Sequence, residues 1–368
     1  MSNKSMAHIW KELQKQHGEE GLFHGNDDMT TFTDVISSGS HLLDDALGIW
    51  GLPRGRVIQF AGQESSGKTY MSFIAIAEYQ RTNPDGWAMF IDAEYTFDGA
   101  WAEKLGVDLD RLIVYRENSG VKIFERLIGQ PSKTSDKKSK LGVLDMEIKN
   151  PTGLGLIVLD SLAAMAPPAE ITSEVGKNNM ALMARFLPPE LRKLTPMLSL
   201  SGVTFIVINQ IRLTPGVMYG NPEMSPGGNA LKHAHTMMLN FSRIAAKNSV
   251  IESEDGERIG HHVRVRIDKN KLAPPHRVAE IAVTYHSGIT EHNIELRTLG
   301  AKYGVIERPN NKVWVLDDEK YNGKDAMAEA LLNEELQLSV LERVKEAKLN
   351  CKSKSIIIEQ ETKIEEVE

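Results

Sequence analysis

The stretch GQESSGKT, from Gly62 to Thr69, limits the folds open to this chain more strongly than any other feature. A glycine, four further residues and then Gly-Lys-Thr form the P-loop pattern, in which backbone N–H groups surround a di- or triphosphate. The loop follows an apolar segment, Arg56 to Ala61, and precedes a helical segment, Tyr70 to Tyr79. Since the motif is meaningful only between a strand and a helix, this context predicts an α/β fold that binds a nucleotide.

The rest of the chain alternates short apolar segments with helical ones, which indicates a mostly parallel sheet covered by helices on both faces. The apolar segments are RVIQFA, WAMFIDA, RLIVYRE, LGLIVLDS and VTFIVIN. Two later segments, HHVRVRIDK and RVAEIAVTYH, alternate apolar and polar residues and predict an antiparallel extension of the sheet. Residues 5–17 have the spacing of an amphipathic helix. The lysine-rich residues 131–153 are predicted to form a surface loop or insertion.

Composition limits the class of protein. With 368 residues and 41% hydrophobic content, the chain can bury one large core, and a smaller α/β unit is expected from the patterns after about Leu299. No apolar run approaches the roughly 18 residues that a membrane span needs, and the start is polar, so we expect a cytoplasmic protein with no membrane partner. The single cysteine, Cys351, excludes an internal disulfide and a cysteine-cluster zinc site.

The charge balance argues against one mode of nucleic-acid binding. A net charge of −7 is inconsistent with coating nucleic acid through a bulk positive field. Residues 358–368 contain five glutamates and one lysine, so an acidic tail could hide a local basic face.

Two residues of the P-loop and one strand-end carboxylate form the expected phosphate and metal site. Lys68 is predicted to neutralise the β- and γ-phosphate oxygens, and the hydroxyl of Thr69 to bind Mg²⁺. Asp160, at the end of LIVLD, is predicted to hold the same ion through water, with Ser161 beside it. A simple helix-capping role is the alternative for Asp160.

Hydrolysis needs a base or a group that positions water near the γ-phosphate. Glu94 is the candidate because it lies just beyond the end of MFID, and Asp92 is the competing choice. Gln210 ends a further strand and opens a glycine- and proline-rich loop. An amide at this position can contact the γ-phosphate and transmit its presence to the loop.

Six segments together resemble the bacterial RecA recombinase family, in order and at similar spacing. They are GLPRGRVIQFAGQESSGKT, FIDAEYTFD, AEKLGVDLDRL, VLDSLAAMAP, NQIRLTPGVMYGNPEMSPGGNALK and RVRIDKNKLAPP. The resemblance runs from about Ser37 to near Asn350 and fits a phage-encoded or otherwise divergent member as well. It implies an N-terminal oligomerisation arm (1–33), a RecA-type P-loop ATPase core with DNA-binding loops (34–290) and a small C-terminal α/β domain (291–350). Residues 351–368 are expected to form an acidic, disordered tail.

The resemblance also implies a function. A protein of this family is an ATP-dependent recombinase that forms a helical filament on single-stranded DNA. It catalyses homologous pairing and strand exchange in recombination, DNA repair and the response to DNA damage, including the SOS response. The implied cofactors are ATP and Mg²⁺. The implied partners are single-stranded DNA, homologous duplex DNA and further copies of the chain, with single-strand-binding and mediator proteins as candidate loading partners. The expected location is the cytoplasm, at the nucleoid, or the host cytoplasm for a phage protein.

By position, the resemblance makes Glu94 the catalytic glutamate and Gln210 the γ-phosphate sensor. It also makes Lys269 and Lys271 the lysines that reach the ATP of a neighbouring subunit. Trp101 and Tyr285 match aromatic residues that flank the adenine, although a core role is the plainer interpretation of both. The residues assigned to the nucleotide are therefore Gly62, Gln63, Glu64, Ser65, Ser66, Gly67, Lys68, Thr69, Tyr70, Asp98, Trp101, Asp160 and Tyr285.

Two stretches correspond to the DNA-facing loops of the family, Glu170 to Met180 and Ile211 to Asn229. Glycine N–H groups and arginines can grip phosphates there, while apolar residues wedge between bases. The residues assigned to DNA are Met180, Arg185, Arg192, Arg212, Val217, Met218, Ser225, Gly227, Gly228 and Asn229. For Arg185 and Arg192, solvent-exposed helix charges are the alternative.

The chain also departs from the family pattern. Gln63 replaces a proline and Tyr70 a small residue, changes that we expect to be tolerated. His233 replaces an aromatic residue at a subunit contact, which predicts weaker or pH-sensitive coupling between neighbouring subunits. Two other functions stay open at this point: a recombination mediator or regulator without strand exchange, and a hexameric DNA helicase. The complete set of ATPase residues argues against the first. Lysines in place of a neighbour's arginine argue against the second.

Overall fold

The computed structural model describes residues 2–17, 34–130, 140–171, 182–213, 223–224, 228–244, 249–253 and 255–365. They divide into two units, Met1–Asp34 and Val35–Glu368. The first unit contains helix α1, Ser2–His17, as the apolar spacing predicts. The domain boundaries that the resemblance implies remain predictions.

The second unit is an α/β structure. Its strands are β1 (Val35–Ile36), β2 (Leu52–Pro53), β3 (Val57–Gly62), β4 (Trp87–Asp92), β5 (Leu112–Arg116), β6 (Leu154–Asp160), β7 (Thr204–Gln210), β8 (Arg212–Leu213), β9 (Glu223–Met224), β10 (Met237–Arg243), β11 (Val250–Glu252), β12 (Arg258–Asn270), β13 (Val278–Thr284), β14 (Val313–Leu316) and β15 (Glu319–Asn322). Its helices are α2 (His41–Leu47), α3 (Lys68–Thr82), α4 (Gly99–Lys104), α5 (Gly120–Ile128), α6 (Val143–Lys149), α7 (Pro168–Ile171), α8 (Leu182–Ser201), α9 (Gly228–Ala234), α10 (His292–Lys302), α11 (Lys324–Ala330) and α12 (Glu334–Glu365).

The main sheet of this unit has nine described strands in the order β11-β12-β10-β3-β7-β6-β4-β5, with β13 also paired to β12. The pairs from β10 to β5 are parallel, and β12 pairs antiparallel with β10, β11 and β13. This arrangement confirms the predicted parallel sheet with an antiparallel extension. In register, Gly62 lies opposite Gln210 and Asp92 opposite Asp160, so these strand ends meet at one edge of the sheet.

Both faces of the sheet are covered, as near-continuous apolar strands require. On one face, the rings of Phe90 and of Phe73 from α3 lie 5.2 Å apart within a large apolar cluster. On the other face, Ile157 and Phe205 pack with buried leucines of α8, among them Leu191. A third cluster joins α10, α11, α12 and β14 around Leu299 and Trp314.

Two regions differ from the sequence-based expectation. Part of the predicted loop at 131–153 is helix α6, in which Leu144 is fully buried and Glu147 accepts a hydrogen bond from the backbone of Thr152 at 2.9 Å. The lysines, proline and glycines on either side of this seven-residue helix led to the prediction of a loop. The second region is the tail predicted to be disordered, 351–368, of which residues 351–365 form the end of α12. No glycine or proline occurs between Glu334 and Glu365, so nothing in the sequence interrupts the helix.

A buried carboxylate ties α2 to the helices of the third cluster. Asp45 accepts hydrogen bonds of 2.6 Å from Lys302, Tyr303 and Lys348. Burial alone would raise the pKa of Asp45, but these three donors outweigh it and hold the pKa below its ordinary value. The side chain of Lys348 is itself only 4% exposed, so removal of Asp45 would leave a buried positive charge without this carboxylate partner.

The neighbouring Asp44 behaves in the opposite way. It is fully buried, and burial raises its pKa from 3.8 to about 7, while hydrogen bonds from Ser38 and Ser37 and the nearby Glu295 only modify that rise. The native state therefore keeps the proton of Asp44 to a higher pH than the unfolded chain does. The contribution of this group to the free energy of unfolding must decrease as the pH rises through the range from about 4 to about 7.

We expect Asp44→Asn to reduce this pH dependence. Asparagine can keep the acceptor for the Ser38 N–H, which lies 2.9 Å from the carboxylate, but it cannot ionise. The free energy of unfolding is measured with urea at pH 5 and at pH 8. Between these pH values the unchanged protein should lose on the order of 3 kcal/mol more of this free energy than Asp44→Asn does. The exposed Asp110→Asn is the control. An unchanged pH dependence in Asp44→Asn would contradict the assignment.

Candidate nucleotide-binding site

The P-loop connects β3 to α3 and begins and ends with glycines that the local geometry requires. At Gly62 a Cβ atom would overlap the carbonyl oxygen of Phe241 on the neighbouring strand β10. Gly67 has φ 95°, in the left-handed region that favours glycine. The loop therefore turns sharply and presents the first N–H groups of α3 at its concave side, where an anion binds favourably.

Lys68 lies inside this loop. Its Nζ donates a hydrogen bond of 2.6 Å to the carbonyl of Gln63 and lies 3.4 Å from the hydroxyl of Ser66. Its side chain is buried, and burial lowers its pKa, against the raising effect of Asp160 and Glu94. The ammonium group thus binds the loop's own carbonyl, and phosphate oxygens are stronger acceptors for the same charge.

The proposed metal ligands are adjacent. Thr69 donates from its hydroxyl to Oδ2 of Asp160 at 2.7 Å. Burial raises the pKa of Asp160 to about 6, although the hydrogen bond from Thr69 opposes the rise. A hydroxyl paired with a desolvated carboxylate next to a phosphate loop fits Mg²⁺, which binds through one or two protein oxygens together with substrate phosphates. Among the described residues, no group of three or more His, Cys, Asp or Glu side chains could hold a metal.

Glu94 and Gln210 are in contact. Oε1 of Glu94 accepts a hydrogen bond of 3.3 Å from the amide of Gln210 and a second one from the hydroxyl of Ser161. Asp92, the competing candidate base, is 1% exposed, and its carboxylate accepts hydrogen bonds from the backbone N–H groups of Thr96 and Phe97. Asp92 therefore holds the turn after β4, while Glu94 contacts Gln210.

Sequence reasoning gave no role to Ser161. The residue is fully buried, directly follows Asp160, and holds one oxygen of Glu94. The end of β6 thus positions both the metal-side carboxylate and the candidate base. Its place next to a predicted metal ligand was the only available signal.

Trp101 and Tyr285, the residues assigned to the adenine, lie together with Asp98 and Tyr70, which are assigned to the nucleotide. Asp98 caps α4 by accepting a 3.2 Å hydrogen bond from the N–H of Trp101. The indole N–H of Trp101 donates to the carbonyl of Tyr285 at 3.2 Å, and its ring lies 6.4 Å from that of Tyr70. Trp101 also packs against Phe73 of the core, with ring centroids 5.3 Å apart. Its core role and a base-flanking role are thus compatible.

Lys269 and Lys271 are held by the end of a helix. Lys269 donates to the carbonyls of Lys232 and His235, the second at 3.0 Å, and Lys271 donates to that of His233 at 3.1 Å. These carbonyls lie at the C-terminal end of α9, the negative end of its dipole. Burial, and then the charge of Lys271, lowers the pKa of Lys269.

The residues assigned to DNA are only partly described. Arg185 and Arg192 are exposed on α8. For Arg212, Gly228 and Asn229 the backbone alone is described. The remaining assignments, Met180, Val217, Met218, Ser225 and Gly227, lie outside the described residues.

A groove of about 800 Å³ between α8 and α9 brings Arg192, His233 and Lys271 together. Residues assigned to DNA and to a neighbour's ATP therefore share one surface.

No helix in the described parts of the chain combines the length and apolar character needed to cross a bilayer.

The parallel sheet, the phosphate loop at the end of β3 and the carboxylates at the neighbouring strand ends define a P-loop ATPase. The family model of the RecA N-terminal domain matches residues 4–120 and 113–290. The RecA protein of Psychrobacter arcticus is 38% identical over 322 residues, which cover 87% of this chain and 84% of that protein. The RecA protein of Acidothermus cellulolyticus is 38% identical over 322 residues, 88% of this chain and 86% of that protein. That of Gluconacetobacter polyoxogenes is 39% identical over 306 residues, 83% and 80% of the two chains.

The chain belongs to the RecA family. It is an ATP-dependent DNA recombinase of recombination and repair, a DNA-dependent ATPase that binds DNA and forms filaments. This confirms the family, fold class and function predicted from the sequence over the mediator and helicase alternatives.

Proposed function

We propose that this chain binds ATP and Mg²⁺ at the P-loop and uses hydrolysis to release a filament from single-stranded DNA. The observation that carries the proposal is the contact between Glu94 and Gln210, since Gln210 is also the last residue before the loop assigned to DNA. One residue thus contacts the candidate base through its side chain and directly precedes that loop in the chain.

In the first step, Lys68 exchanges the Gln63 carbonyl for β- and γ-phosphate oxygens, and the N–H groups of the loop bind the remaining oxygens. Thr69 and Asp160 would hold Mg²⁺, which neutralises charge on the transferred phosphoryl group. Tyr70, Asp98, Trp101 and Tyr285 are proposed to form the base-binding side.

In the hydrolytic step, Glu94 accepts a proton from the attacking water, or orients that water. Both described hydrogen bonds to Glu94 end on Oε1, so Oε2 stays available for the water. Ser161 acts as a positioning residue, because its hydroxyl fixes the rotation of the carboxylate.

We propose that coupling to DNA acts on both ends of the stretch 211–227, which lies in the second loop assigned to DNA. Gln210 precedes this segment, and α9 follows it. A γ-phosphate would draw the Gln210 amide away from Glu94, and the phosphate of a neighbouring subunit would draw Lys269 and Lys271 away from the α9 carbonyls. Both exchanges change the anchoring of the segment between them, which is how nucleotide state would reach the DNA loops.

DNA binding is proposed to involve the exposed arginines of α8 together with the residues of the two loops. Contacts of this type read the backbone, so sequence is left to base pairing, and a negative net charge is no obstacle. The proposal extends to homologous duplex DNA, to single-strand-binding and mediator proteins as loading partners, and to a nucleoid-associated place in the cytoplasm.

Steady-state ATP hydrolysis with and without single-stranded DNA, with electron microscopy of the same mixtures, tests this function. We expect strong stimulation by the DNA, helical filaments, and loss of both when Mg²⁺ is chelated. The matched control is a duplex of equal nucleotide content, which should stimulate less. Hydrolysis that ignores single-stranded DNA, or closed rings in the images, would contradict the proposal.

A further inference from the structure

His261, on β12, is buried, and the described residues do not satisfy its imidazole. The residue is 7% exposed, and neither Nδ1 nor Nε2 has a hydrogen-bond partner within the described residues. Buried polar groups in native proteins nearly always have a partner, and an unpaired one destabilises the folded state. Among the described residues the imidazole therefore lacks the partner that a buried polar group usually has, which makes it a candidate for binding a ligand.

The position of His261 indicates what that partner is. Its ring centroid lies 5.9 Å from that of Tyr285, and the carbonyl of Tyr285 accepts the indole N–H of Trp101. Val263 lies two residues further along β12, on the same face of the strand, and a Cβ atom at Gly67 would be 3.6 Å from its side chain. The face of β12 that carries His261 therefore adjoins both the P-loop and the aromatic residues assigned to the base.

The surroundings of His261 favour the neutral form of its imidazole, which can both donate and accept a hydrogen bond. Burial lowers the pKa of His261, and Arg243, Arg258 and His262 lower it further, which favours the uncharged imidazole. A neutral imidazole has one N–H donor and one acceptor nitrogen. An adenine edge has the matching pair, an exocyclic amine beside ring-nitrogen acceptors.

We propose that His261 is a nucleotide-contacting residue that hydrogen-bonds the adenine edge of ATP and contributes to the choice of base. This inference rests on the proposed ATP site and adds a residue to it. The unpaired imidazole is retained in the nucleotide-free protein because it gains its partner when ATP binds.

The test uses His261→Phe, with His262→Phe as the matched control, because the adjacent side chain points to the other face of the strand. Urea unfolding is measured without nucleotide, and the affinities for ATP and GTP are measured by calorimetry with Mg²⁺. Removal of a buried unpaired group by an apolar ring should leave the nucleotide-free protein at least as stable as before. The same change should weaken ATP binding by about 3- to 10-fold and affect GTP binding less.

A second variant separates a lost hydrogen bond from altered packing. His261→Asn retains a donor and an acceptor, and its ATP affinity should lie closer to that of the unchanged protein than the affinity of His261→Phe does. Unchanged ATP affinity in His261→Phe would overturn the inference, and so would a loss equal to that of the His262→Phe control. A fall in the nucleotide-free stability of His261→Phe would identify an ordinary core residue. If the unchanged protein itself bound no ATP, the proposed function would fail, and this inference with it.

Discussion

Replacement of Lys68 by alanine is expected to weaken ATP binding by about 10- to 100-fold and to lower turnover at saturating ATP by about 100-fold or more. The buried ammonium makes charge-assisted hydrogen bonds, and alanine cannot supply a charge at the position where negative charge develops in the transition state. Calorimetric titration with ATP and Mg²⁺ gives the first number, and DNA-stimulated hydrolysis gives the second.

The control for this variant is Lys122→Ala, which removes an exposed lysine paired with Glu117 on the surface. It should leave both measurements within about twofold, because exposed ion pairs contribute little. Normal hydrolysis by the Lys68→Ala protein would contradict the assignment of the whole P-loop site. Filament formation with ATP should be lost together with binding, because the filament is proposed to depend on bound nucleotide.

Replacement of Glu94 by glutamine should have the second large effect, with a different signature. Turnover is expected to fall by about 100- to 10,000-fold, the range for loss of a general base, while the affinity for ATP changes little. The glutamine amide can still accept hydrogen bonds from Ser161 and Gln210, so the local geometry should be kept. DNA complexes formed with ATP should persist longer, because hydrolysis is the proposed step that releases them.

Glu103→Gln, at an exposed position of α4, serves as the matched control. Single-turnover hydrolysis and the rate of filament loss after dilution measure the two expected effects. A Glu94→Gln protein with unchanged turnover would transfer the role of base to another group. A protein that lost ATP affinity as strongly as Lys68→Ala would indicate that Glu94 mainly binds nucleotide.

The sequence predicted the part of the site whose signals are local. Lys68 and Thr69 follow from a motif, while Asp160 and Gln210 follow from apolar strands that end in a polar residue. Parallel strands of this kind bring their ends to one edge. Glu94 could be ranked above Asp92 only weakly, since the choice depends on where each carboxylate finds its hydrogen bonds.

The remaining features depend on partners that are distant in the sequence. The charge of Asp45 is balanced by Lys302 and Lys348, more than 250 residues away. His261 has no hydrogen-bond partner among the described residues, and a sequence pattern does not reveal which residues fold against β12. Helix α6 was missed because it has only seven residues inside a polar stretch, too few for a periodic apolar pattern to be recognised.

Strand β12 carries two nucleotide assignments at once. His261 is proposed to contact the chain's own nucleotide, and Lys269, eight positions further along the same strand, is assigned to the ATP of a neighbour. At about 3.4 Å per residue, these positions are separated by roughly 27 Å of hydrogen-bonded backbone, which can bend but can hardly stretch. If both assignments hold, the strand sets the distance within one subunit between its own base site and its contact with a neighbour's nucleotide. The axial repeat of an assembly would then depend on the tilt of this strand as well as on the contacts between copies.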